Sequence, residues 1–254
     1  MALKLYHAEP AANSLKSLIP LHEKGLAFES VYVDLHKFEQ HEPWFTALNP
    51  EGQVPVLDHD GFIVTHTTVI NEYLEDAFPE APPLRPNEPK GNARMRFWNK
   101  FVDEHVMNYV SMHGWHRMVG VLARGIETGE FEKMVSRIPL HEQREKWRTA
   151  RSGFSEADLA NATRKIEVAV DKVEEQLGRT EWLAGETYTL ADINLFAHLG
   201  FAVARMFPEI GTKDRCPRFL AWVDRVRARP GVQAALNMPD HTNPALRTFT
   251  GHAR

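Results

Sequence analysis

Small polar side chains stand at two points where the sequence predicts the start of a helix. Asn13 and Ser14 come just before a run of apolar residues with helical spacing, and Thr67 stands before a second such run. Free main-chain amides and the helix dipole make a helix N-terminus attractive to an anion. At the first of these ends, a hydroxyl, an amide and the dipole together can stabilise a sulfur anion. Each of these side chains is also suited to the ordinary role of helix N-cap.

Two histidines and one cysteine are further candidates for chemistry. His113 and His116 have the i, i+3 spacing of neighbours on one helix face, but no third metal ligand is evident and we predict no metal. Cys216 is the single cysteine, so it can neither close a disulfide within the chain nor form a zinc pattern. We interpret it as incidental rather than as a nucleophile. Low cysteine usage favours a reducing compartment, and we expect a cytoplasmic protein.

The bulk composition excludes several classes of protein. The chain has 254 residues, of which 43% are hydrophobic and 25% charged, and its formal net charge is −4. These are ordinary values for a globular protein with room for two modest domains. Lysine and arginine are scattered, which argues against a nucleic-acid surface. The apolar runs are too short for a membrane span, and the N-terminus lacks the apolar segment of a signal peptide.

The first part of the chain alternates between strand and helix patterns. Strands are indicated by a period of two in the apolar residues, and helices by apolar residues that recur on one helical face. Asp60 and Gly61 predict a tight turn between two adjacent strands. The predicted order is β-α-β-α-β-β-α. The segments are strands at 3–7, 28–33, 56–58 and 62–64, and first and last helices at 15–25 and 67–78, with the middle helix in the polar, aromatic stretch 37–49.

The pattern changes after residues 81–89, a proline-rich polar segment that cannot sustain a helix and is interpreted as a domain linker. Helical spacing prevails beyond it, with long amphipathic stretches at 90–123 and 157–177. The highly charged segment 127–153 is interpreted as an excursion of short helices outside the core.

A capping box marks a helix near the C-terminal end. Thr189 and Asp192 have the required spacing, and apolar residues follow, so a buried helix is predicted. The predicted fold is an α+β N-terminal domain over residues 1–80, a linker over 81–89 and an all-α domain over 90–254.

Three segments in this order resemble the glutathione transferase superfamily. They are Asn-Pro-Glu-Gly-Gln-Val-Pro at 49–55, Thr-Thr-Val-Ile-Asn-Glu-Tyr-Leu at 67–74, and Trp-Leu-Ala-Gly at 182–185 leading into the capping box at 188–192. The resemblance covers nearly the whole chain. It implies a thioredoxin-like domain that binds glutathione, a helical domain that shapes a pocket for the second substrate, and a homodimer.

A narrower resemblance concerns the bacterial β-etherases of lignin breakdown. Segments 12–16, 37–41, 98–104 and 146–154 are similar to those enzymes, and more similar to their βS-selective branch. The resemblance implies cleavage of a β-aryl ether next to a carbonyl in lignin-derived aromatic compounds. The glutathione thiolate attacks the β-carbon, a phenol is released and a glutathione thioether forms.

The family resemblance also indicates which residues hold glutathione. The Val54–Pro55 bond is expected to be cis, with the Val54 main chain pairing with the cysteinyl part of glutathione. Thr67 stands where the family has a serine that binds the γ-glutamyl carboxylate. The side chains expected to contact the peptide groups and the glycyl carboxylate are those of Gln53, Gln40 and Lys37.

His66 departs from the family pattern, which has Glu or Asp here to pair with the γ-glutamyl ammonium. A histidine beside a cation is expected to stay neutral and offers only a lone pair. Asp103 from the partner subunit would compensate, since related enzymes bring an acid to this ammonium from the neighbouring subunit's helix. The alternative for Asp103 is a solvated helix face.

Ser14 and Asn13 are the residues expected to activate the thiol, because a thiol of ordinary pKa is mostly protonated at neutral pH. Tyr6, the usual rival in other branches of the superfamily, lies inside a predicted strand and is interpreted as core. Either of two histidines in the pocket could help the phenolate depart. The residues expected to hold the second substrate are Pro10, Tyr109, Met112, His113, Trp115 and His116, partly as core and partly as pocket wall.

Two alternatives stay open at the level of sequence. One is a generalist glutathione transferase, or an isomerase that uses glutathione as cofactor, because both share the whole glutathione site. The other is a non-catalytic module of this fold, which only His66 favours.

Overall fold

The computed structural model describes residues 2–239 and residue 241. The N-terminal part is a sheet covered by helices, and the predicted order of elements is confirmed. Its strands are β1 (Leu3–His7), β2 (Glu29–Tyr32), β3 (Val56–His59) and β4 (Phe62–Thr65), and its helices are α1 (Ala12–Glu23), α2 (Pro43–Thr46) and α3 (Thr67–Ala77).

The four strands form a mixed sheet in the order β2-β1-β3-β4. β1 runs parallel to β2 and antiparallel to β3, with Leu5 opposite Leu57. Because successive side chains of a strand point to opposite faces, Leu5 joins the cluster that includes α1 and α3, whereas Tyr6 packs on the other face with Phe45 of α2. The interpretation of Tyr6 as core is met only in part, since the residue is half-buried against this second cluster.

The predicted caps of α1 and α3 are wrong by a residue or more. Ala11 is the N-cap of α1 and makes no side-chain cap bond, so Asn13 and Ser14 lie within the first turn. His66, with φ +64°, is the N-cap of α3, and Thr67 is the first helical residue. In the first case the reason is tertiary, because the Ser14 hydroxyl accepts a hydrogen bond from the β1–α1 loop instead of capping its own helix.

The C-terminal part is helical, as predicted. Between residues 89 and 125 three α-helical pieces are joined by π-helical turns at Val102–Val106 and Trp115–Val119 into one continuous helix. None of the helices within residues 2–239 is long and apolar enough to cross a membrane. The helices are α4 (Pro89–Phe101), α5 (Met107–Gly114), α6 (Gly120–Gly125), α7 (Thr128–Ser136), α8 (His141–Ser152), α9 (Glu156–Leu177), α10 (Leu190–Leu195), α11 (Phe201–Met206), α12 (Pro217–Arg227) and α13 (Pro230–Leu236).

A single apolar core joins the sheet to the helical part. Leu15 and Leu18 of α1 belong to the same buried cluster as Trp98 of α4 and Phe196 beyond α10. α13 also returns to α1, where a Cβ added at Gly231 would meet the main chain of Glu23 at 2.7 Å. The helix that carries the predicted thiol-activating residues is thus held from both sides.

The charged segment forms two short helices, α7 and α8, as predicted, but it also contains buried apolar residues. Phe131 and Val135 are buried with Ala123 of α6, and the cluster includes Phe38 from the N-terminal part. The expectation that this excursion lies outside any core is wrong, because apolar side chains at helical spacing among the charges build a small cluster of their own.

The capping box of α10 is confirmed. The Thr189 side chain accepts from the first turn, while the Asp192 carboxylate accepts the Thr189 N–H at 3.0 Å. Asp192 is fully buried and also accepts from the Leu183 N–H and the Trp222 indole. Burial raises the pKa of Asp192 to about 6, although the hydrogen bonds favour its charged form.

Candidate active site

Ser14 lies at the junction of β1 and α1 and is buried. Its Oγ accepts the Ala8 N–H at 3.0 Å, which holds the loop after β1 against the first turn of the helix. A hydroxyl has one donor and two lone pairs, so this bond leaves the O–H able to donate to an anion. The geometry is compatible with the predicted role of Ser14 toward a thiolate.

Asn13 contacts the helical part of the molecule. Its Oδ1 lies 3.1 Å from Nε2 of His198, a buried residue in the π-helical turn Phe196–Gly200 that follows α10. Burial, with a smaller contribution from the Lys16 ammonium, lowers the pKa of His198 to about 3. His198 is therefore a neutral imidazole at physiological pH.

Lys16 is a buried cation two residues beyond Ser14. Its side chain is 0% exposed, and its Nζ lies 2.7 Å from Oδ1 of Asp103. The other carboxylate oxygen of Asp103 accepts from the Thr68 hydroxyl at 2.7 Å. Burial lowers the pKa of Lys16, and the Asp103 charge opposes that shift. Both oxygens of the Asp103 carboxylate are therefore bonded, and the residue links α1 and α3 to the long helix.

The N-terminus of α3 carries Thr67, one of the predicted glutathione-binding residues. Thr67 is its first residue and is almost fully buried, and the helix continues for 11 residues. His66 turns outward, with its side chain 61% exposed and Nε2 at 3.9 Å from the Glu51 carboxylate. An acid therefore stands beside His66, although it comes from the preceding turn and not from position 66 itself.

The turn that leads into β3 is built as the family resemblance implies. The Val54–Pro55 peptide bond is cis. Asn49 holds the turn, since its Oδ1 accepts the Glu51 N–H at 3.1 Å and its Nδ2 donates to the Gln53 carbonyl at 2.8 Å. Val54 precedes the first ladder residue of β3, Val56. The Gln53 side chain is half-buried.

The structure separates Gln40 from Lys37. Gln40 is buried, and its Oε1 has no hydrogen-bond partner among the described residues. Lys37 is exposed, and its Nζ pairs with Asp34 at 3.0 Å. Asp34 also accepts main-chain N–H groups of the short turn that contains Lys37. Gln40 consequently has an unused acceptor inside the protein, whereas the Lys37 ammonium lies at the surface, paired with Asp34.

The residues predicted to hold the second substrate are divided between core and partly exposed positions. His113 is buried, with Nε2 at 3.1 Å from the Thr163 hydroxyl and its ring against Phe207. Burial lowers the pKa of His113, so its imidazole is neutral. Pro10 is also buried. The four residues that remain half-buried are Tyr109, Met112, Trp115 and His116.

His116 and Trp115 face different neighbours. His116 has a buried Nδ1 without a partner among the described residues, and its ring lies near Phe154.

Within residues 2–239 and 241, no group of three or more metal-ligating side chains is present, so the pair His113 and His116 has no third ligand there.

Sequence reasoning missed the residues that support these positions. Lys146 of α8 donates to Ser111 at 2.9 Å and lies 4.5 Å from the centre of the Trp115 ring. Burial lowers its pKa to about 8. Trp147 links Trp115 to Phe38, at ring distances of 5.3 and 4.8 Å. The signal available in the sequence was Trp147, an aromatic residue in a strongly charged helix. Such a residue is most simply explained by burial.

Comparison with known proteins assigns the family. The N-terminal domain model of glutathione S-transferases matches residues 1–76, and a C-terminal domain model of the same family matches residues 147–225. The chain belongs to the glutathione S-transferase family. It is therefore a glutathione-dependent transferase with glutathione as co-substrate.

Individual relatives match over almost the full length. Protein LigF of Sphingobium sp. (strain NBRC 103272 / SYK-6) is 45% identical over 92% of this chain and 92% of its own. The crystal structure described as the beta-etherase LigF from strain SYK-6 superimposes with a TM-score of 0.89 and covers 92% of this chain and 98% of that one. Glutathione S-transferase F13 of Arabidopsis thaliana is 27% identical over 96% of this chain and 100% of its own.

Proposed function

We propose that this protein is a glutathione-dependent β-etherase that cleaves the β-aryl ether bond of lignin-derived aromatic compounds carrying an α-carbonyl. The observation that carries this proposal is the 45% identity to LigF over 92% of the chain, with a matching structure described as a beta-etherase. A generalist transferase would share the glutathione site, whereas here the likeness also extends through the helical part.

The reaction is a substitution at the β-carbon. The glutathione sulfur loses its proton to solvent, attacks the β-carbon and forms the S–C bond while the C–O bond breaks. The aryl oxygen leaves with the bonding electron pair and takes up a proton to become the phenol. The neighbouring carbonyl activates the carbon, and the protein contributes position and thiolate stabilisation.

In this proposal the glutathione peptide lies along the edge of the cis turn. Thr67 and the first amides of α3 bind the γ-glutamyl carboxylate, because a helix N-terminus favours an anion. The Val54 main chain pairs with the cysteinyl residue, and Gln53 and Lys37 serve the peptide groups and the glycyl carboxylate. Ser14 and Asn13 stabilise the sulfur anion from the first turn of α1. Gln40 completes the glutathione contacts only if its buried side chain turns outward.

Glu51 supplies the acid that position 66 lacks. It lies 3.9 Å from His66 Nε2, on the rim of the same helix end. A carboxylate here pairs with the γ-glutamyl ammonium. Asp103 from the partner subunit is a weaker candidate for that ammonium, since its carboxylate is already bonded to Lys16 and Thr68 of its own chain.

The aromatic substrate lies against the long helix. Tyr109, Met112, Trp115 and His116 form its wall, with Pro10 at the opposite side. His116 is the better donor to the departing phenolate, because the Nε2 of His113 is already in contact with Thr163.

The protein acts as a homodimer. We propose that the dimer interface includes exposed apolar side chains from both parts of the molecule, namely Phe62, Val69 and Phe97, which are 60%, 54% and 51% exposed. The Arg96–Glu72 ion pair, with Nε–Oε1 at 3.0 Å, joins α4 to α3. Large exposed apolar side chains grouped in one face are typical of a protein interface. We name these residues the α3–α4 face.

The domain boundaries that we propose are residues 1–80 and 90–254 with a linker at 81–89, supported by the end of α3 at Ala77 and the start of α4 at Pro89. A cytoplasmic location is supported by the single cysteine, which is buried.

The deciding experiment is chiral chromatography of a racemic β-aryl ether ketone after incubation with enzyme and glutathione. We expect one enantiomer to disappear, with matching amounts of phenol and glutathione thioether. The enantiomer consumed assigns the stereochemical branch, for which the sequence resemblance predicts βS. No phenol release, with turnover of a chloro-nitroaromatic, would replace the proposal by a generalist transferase. No retention on glutathione resin would favour a non-catalytic module.

A further inference from the structure

A buried histidine of the helical part reaches one of the two residues assigned to the thiolate. His198 lies in a stretch whose residues are all buried, from Leu190 to Val203. Burying an imidazole costs free energy unless its nitrogens form hydrogen bonds. Its Nε2 lies 3.1 Å from Asn13 Oδ1, across a separation of 185 residues.

We propose that His198 is a positioning residue that fixes the Asn13 carboxamide, with Oδ1 turned into the protein and Nδ2 turned toward the cysteinyl sulfur of bound glutathione. The proposal rests on the proposed function only in taking the glutathione thiolate as the nucleophile near the first turn of α1.

The geometry of an amide makes this control effective. Oδ1 and Nδ2 are attached to the same planar carbon, so a bond that pins one of them sets the direction of the other. Because a neutral histidine donates from only one nitrogen, the Nε2–H form pairs with the Asn13 oxygen and leaves the Asn13 N–H groups facing away from His198.

The orientation of Asn13 decides the sign of its effect. An N–H group directed at a sulfur anion stabilises it, whereas a carbonyl oxygen in the same place would repel it. Ser14 adds its O–H from the next position of the same turn. An amide free to rotate would spend part of its time in the repulsive orientation, and fixing it removes that loss.

The neighbourhood keeps His198 in the required protonation state. The buried Lys16 ammonium disfavours a positive charge on the His198 imidazole. Burial of the imidazole acts in the same direction. Asp103, which balances Lys16, contacts Lys16 and Thr68 and not His198. The arrangement therefore gives Asn13 a neutral donor over the whole physiological pH range.

The test measures the pKa of the glutathione thiol in the binary complex from the ultraviolet absorbance of the thiolate. Asn13→Ala is expected to raise it by about one unit, the value of one hydrogen bond to a charged sulfur. His198→Met is expected to raise it by less, because the freed Asn13 amide still points an N–H group at the sulfur part of the time. The double variant should match Asn13→Ala, since His198 acts only through Asn13. His198→Gln, whose amide N–H can occupy the place of Nε2, should restore most of the wild-type value.

Kinetics provide a second readout. At neutral pH Asn13→Ala is expected to lower kcat by up to about tenfold, and His198→Met by less, with little change in KM, because only the thiolate population changes. The difference should shrink at high pH, where the thiol ionises without help. Ser17→Ala is the control, since it removes a buried hydroxyl of α1 that forms no hydrogen bond with Asn13 or any other described residue. It should leave the thiol pKa unchanged.

A thiol pKa that rises in Asn13→Ala but stays at the wild-type value in His198→Met would overturn the proposal. So would an unchanged value in Asn13→Ala. If His198→Met does not fold, nitrogen-15 chemical shifts of the His198 imidazole in the wild type decide, and a proton on Nδ1 instead of Nε2 refutes the assignment. The thiol pKa and chemical-shift measurements need only glutathione, so absent phenol release would count against the β-etherase function alone.

Discussion

Two serines on the same helix show how burial alone misleads about function. Ser14 and Ser17 are both buried on α1. Ser14 Oγ accepts the Ala8 N–H, whereas Ser17 Oγ has no partner among the described residues. The two hydroxyls therefore differ in what their removal costs, and only Ser14 lies in the first turn where a thiolate would be stabilised.

Ser14→Ala is expected to lower kcat/KM for the aryl ether by roughly 10- to 100-fold, through loss of one hydrogen bond to the anion. It should also lower the unfolding free energy by about 1–2 kcal/mol, because the buried Ala8 N–H loses its acceptor. Ser17→Ala, measured in the same assays, should change neither quantity appreciably. Full turnover in Ser14→Ala would remove Ser14 from the catalytic assignment.

The lowered pKa of His198 predicts that the folded protein loses stability in acid. Its pKa is lowered from 6.5 to about 3 in the folded protein, so below pH 6.5 the unfolded chain binds a proton that the folded protein does not. Stability must then fall as the pH decreases through this window, by ~1.4 kcal/mol per pH unit for this one group.

Urea unfolding of the wild type and His198→Gln over a series of acidic pH values checks the size of this contribution. The variant should lose stability less steeply on acidification, by the slope of one proton. The exposed His36→Gln serves as control and should follow the wild type. Parallel curves for the wild type and His198→Gln would mean that His198 is protonated in the folded state.

At the scale of elements, the environment of a helix end determines how much its cap contributes. Thr189 caps α10 where both the cap and the acceptor Asp192 are buried. Ser155 caps α9 at the surface, where its Oγ accepts the Asp158 N–H at 3.1 Å. Water can replace the Ser155 cap of α9, which is at the surface. It cannot replace the Thr189 cap of α10, because that helix end is closed off from solvent.

Thr189→Ala is therefore expected to lower the unfolding free energy by about 2 kcal/mol, the upper end of the range for N-cap removal, and Ser155→Ala by only about 0.5 kcal/mol. Equilibrium denaturation of both variants at one pH measures the difference. Equal losses would show that burial of the α10 cap adds nothing beyond local helix stability.

At the scale of the whole molecule, the position of α1 depends on a polar network buried between its two parts. Lys16 pairs with Asp103, and Asn71 donates both to the Lys16 carbonyl at 3.0 Å and to Asn194 at 3.2 Å. These contacts orient the first turn of α1, which carries Asn13 and Ser14, relative to the helical part.

Asp103→Asn should lower the unfolding free energy by about 2 kcal/mol, because it leaves a buried ammonium without its counter-charge; the partial exposure of Asp103 keeps the loss below that of a fully buried pair. Glu104→Gln changes an exposed carboxylate at the next position and should cost less than about 0.5 kcal/mol. The two variants are compared by urea denaturation. A matching loss in both would indicate that Lys16 is compensated elsewhere.

The proposed dimer is tested on the α3–α4 face. Phe97→Glu places a charge in that face and is expected to weaken self-association at least ~100-fold, as for a central interface residue. Val121→Glu alters a side chain with nearly the same exposure, 52%, on α6 outside the face. Sedimentation velocity should show a monomer for the first variant only. A dimer that survives Phe97→Glu would place the interface elsewhere.

The order of elements followed from local patterns. The Asp60–Gly61 turn, the apolar periodicity of β1 and the spacing of Thr189 and Asp192 are properties of short segments, and the structure confirms each. The caps of α1 and α3 were predicted wrongly because Ser14 bonds to the β1–α1 loop and His66 takes a positive φ at the start of α3.

The sequence by itself determined the family, the two-part fold and, to within a few residues, the helices at whose N-termini glutathione contacts are predicted, because these depend on periodicity, turn chemistry and motif order. Only the tertiary structure decided which side chains support them. Lys16 meets Asp103 across 87 residues, and Asn13 meets His198 across 185. Such pairs leave no periodic signal in the chain, since they depend on how α1 packs against the helical part and not on the residues beside them.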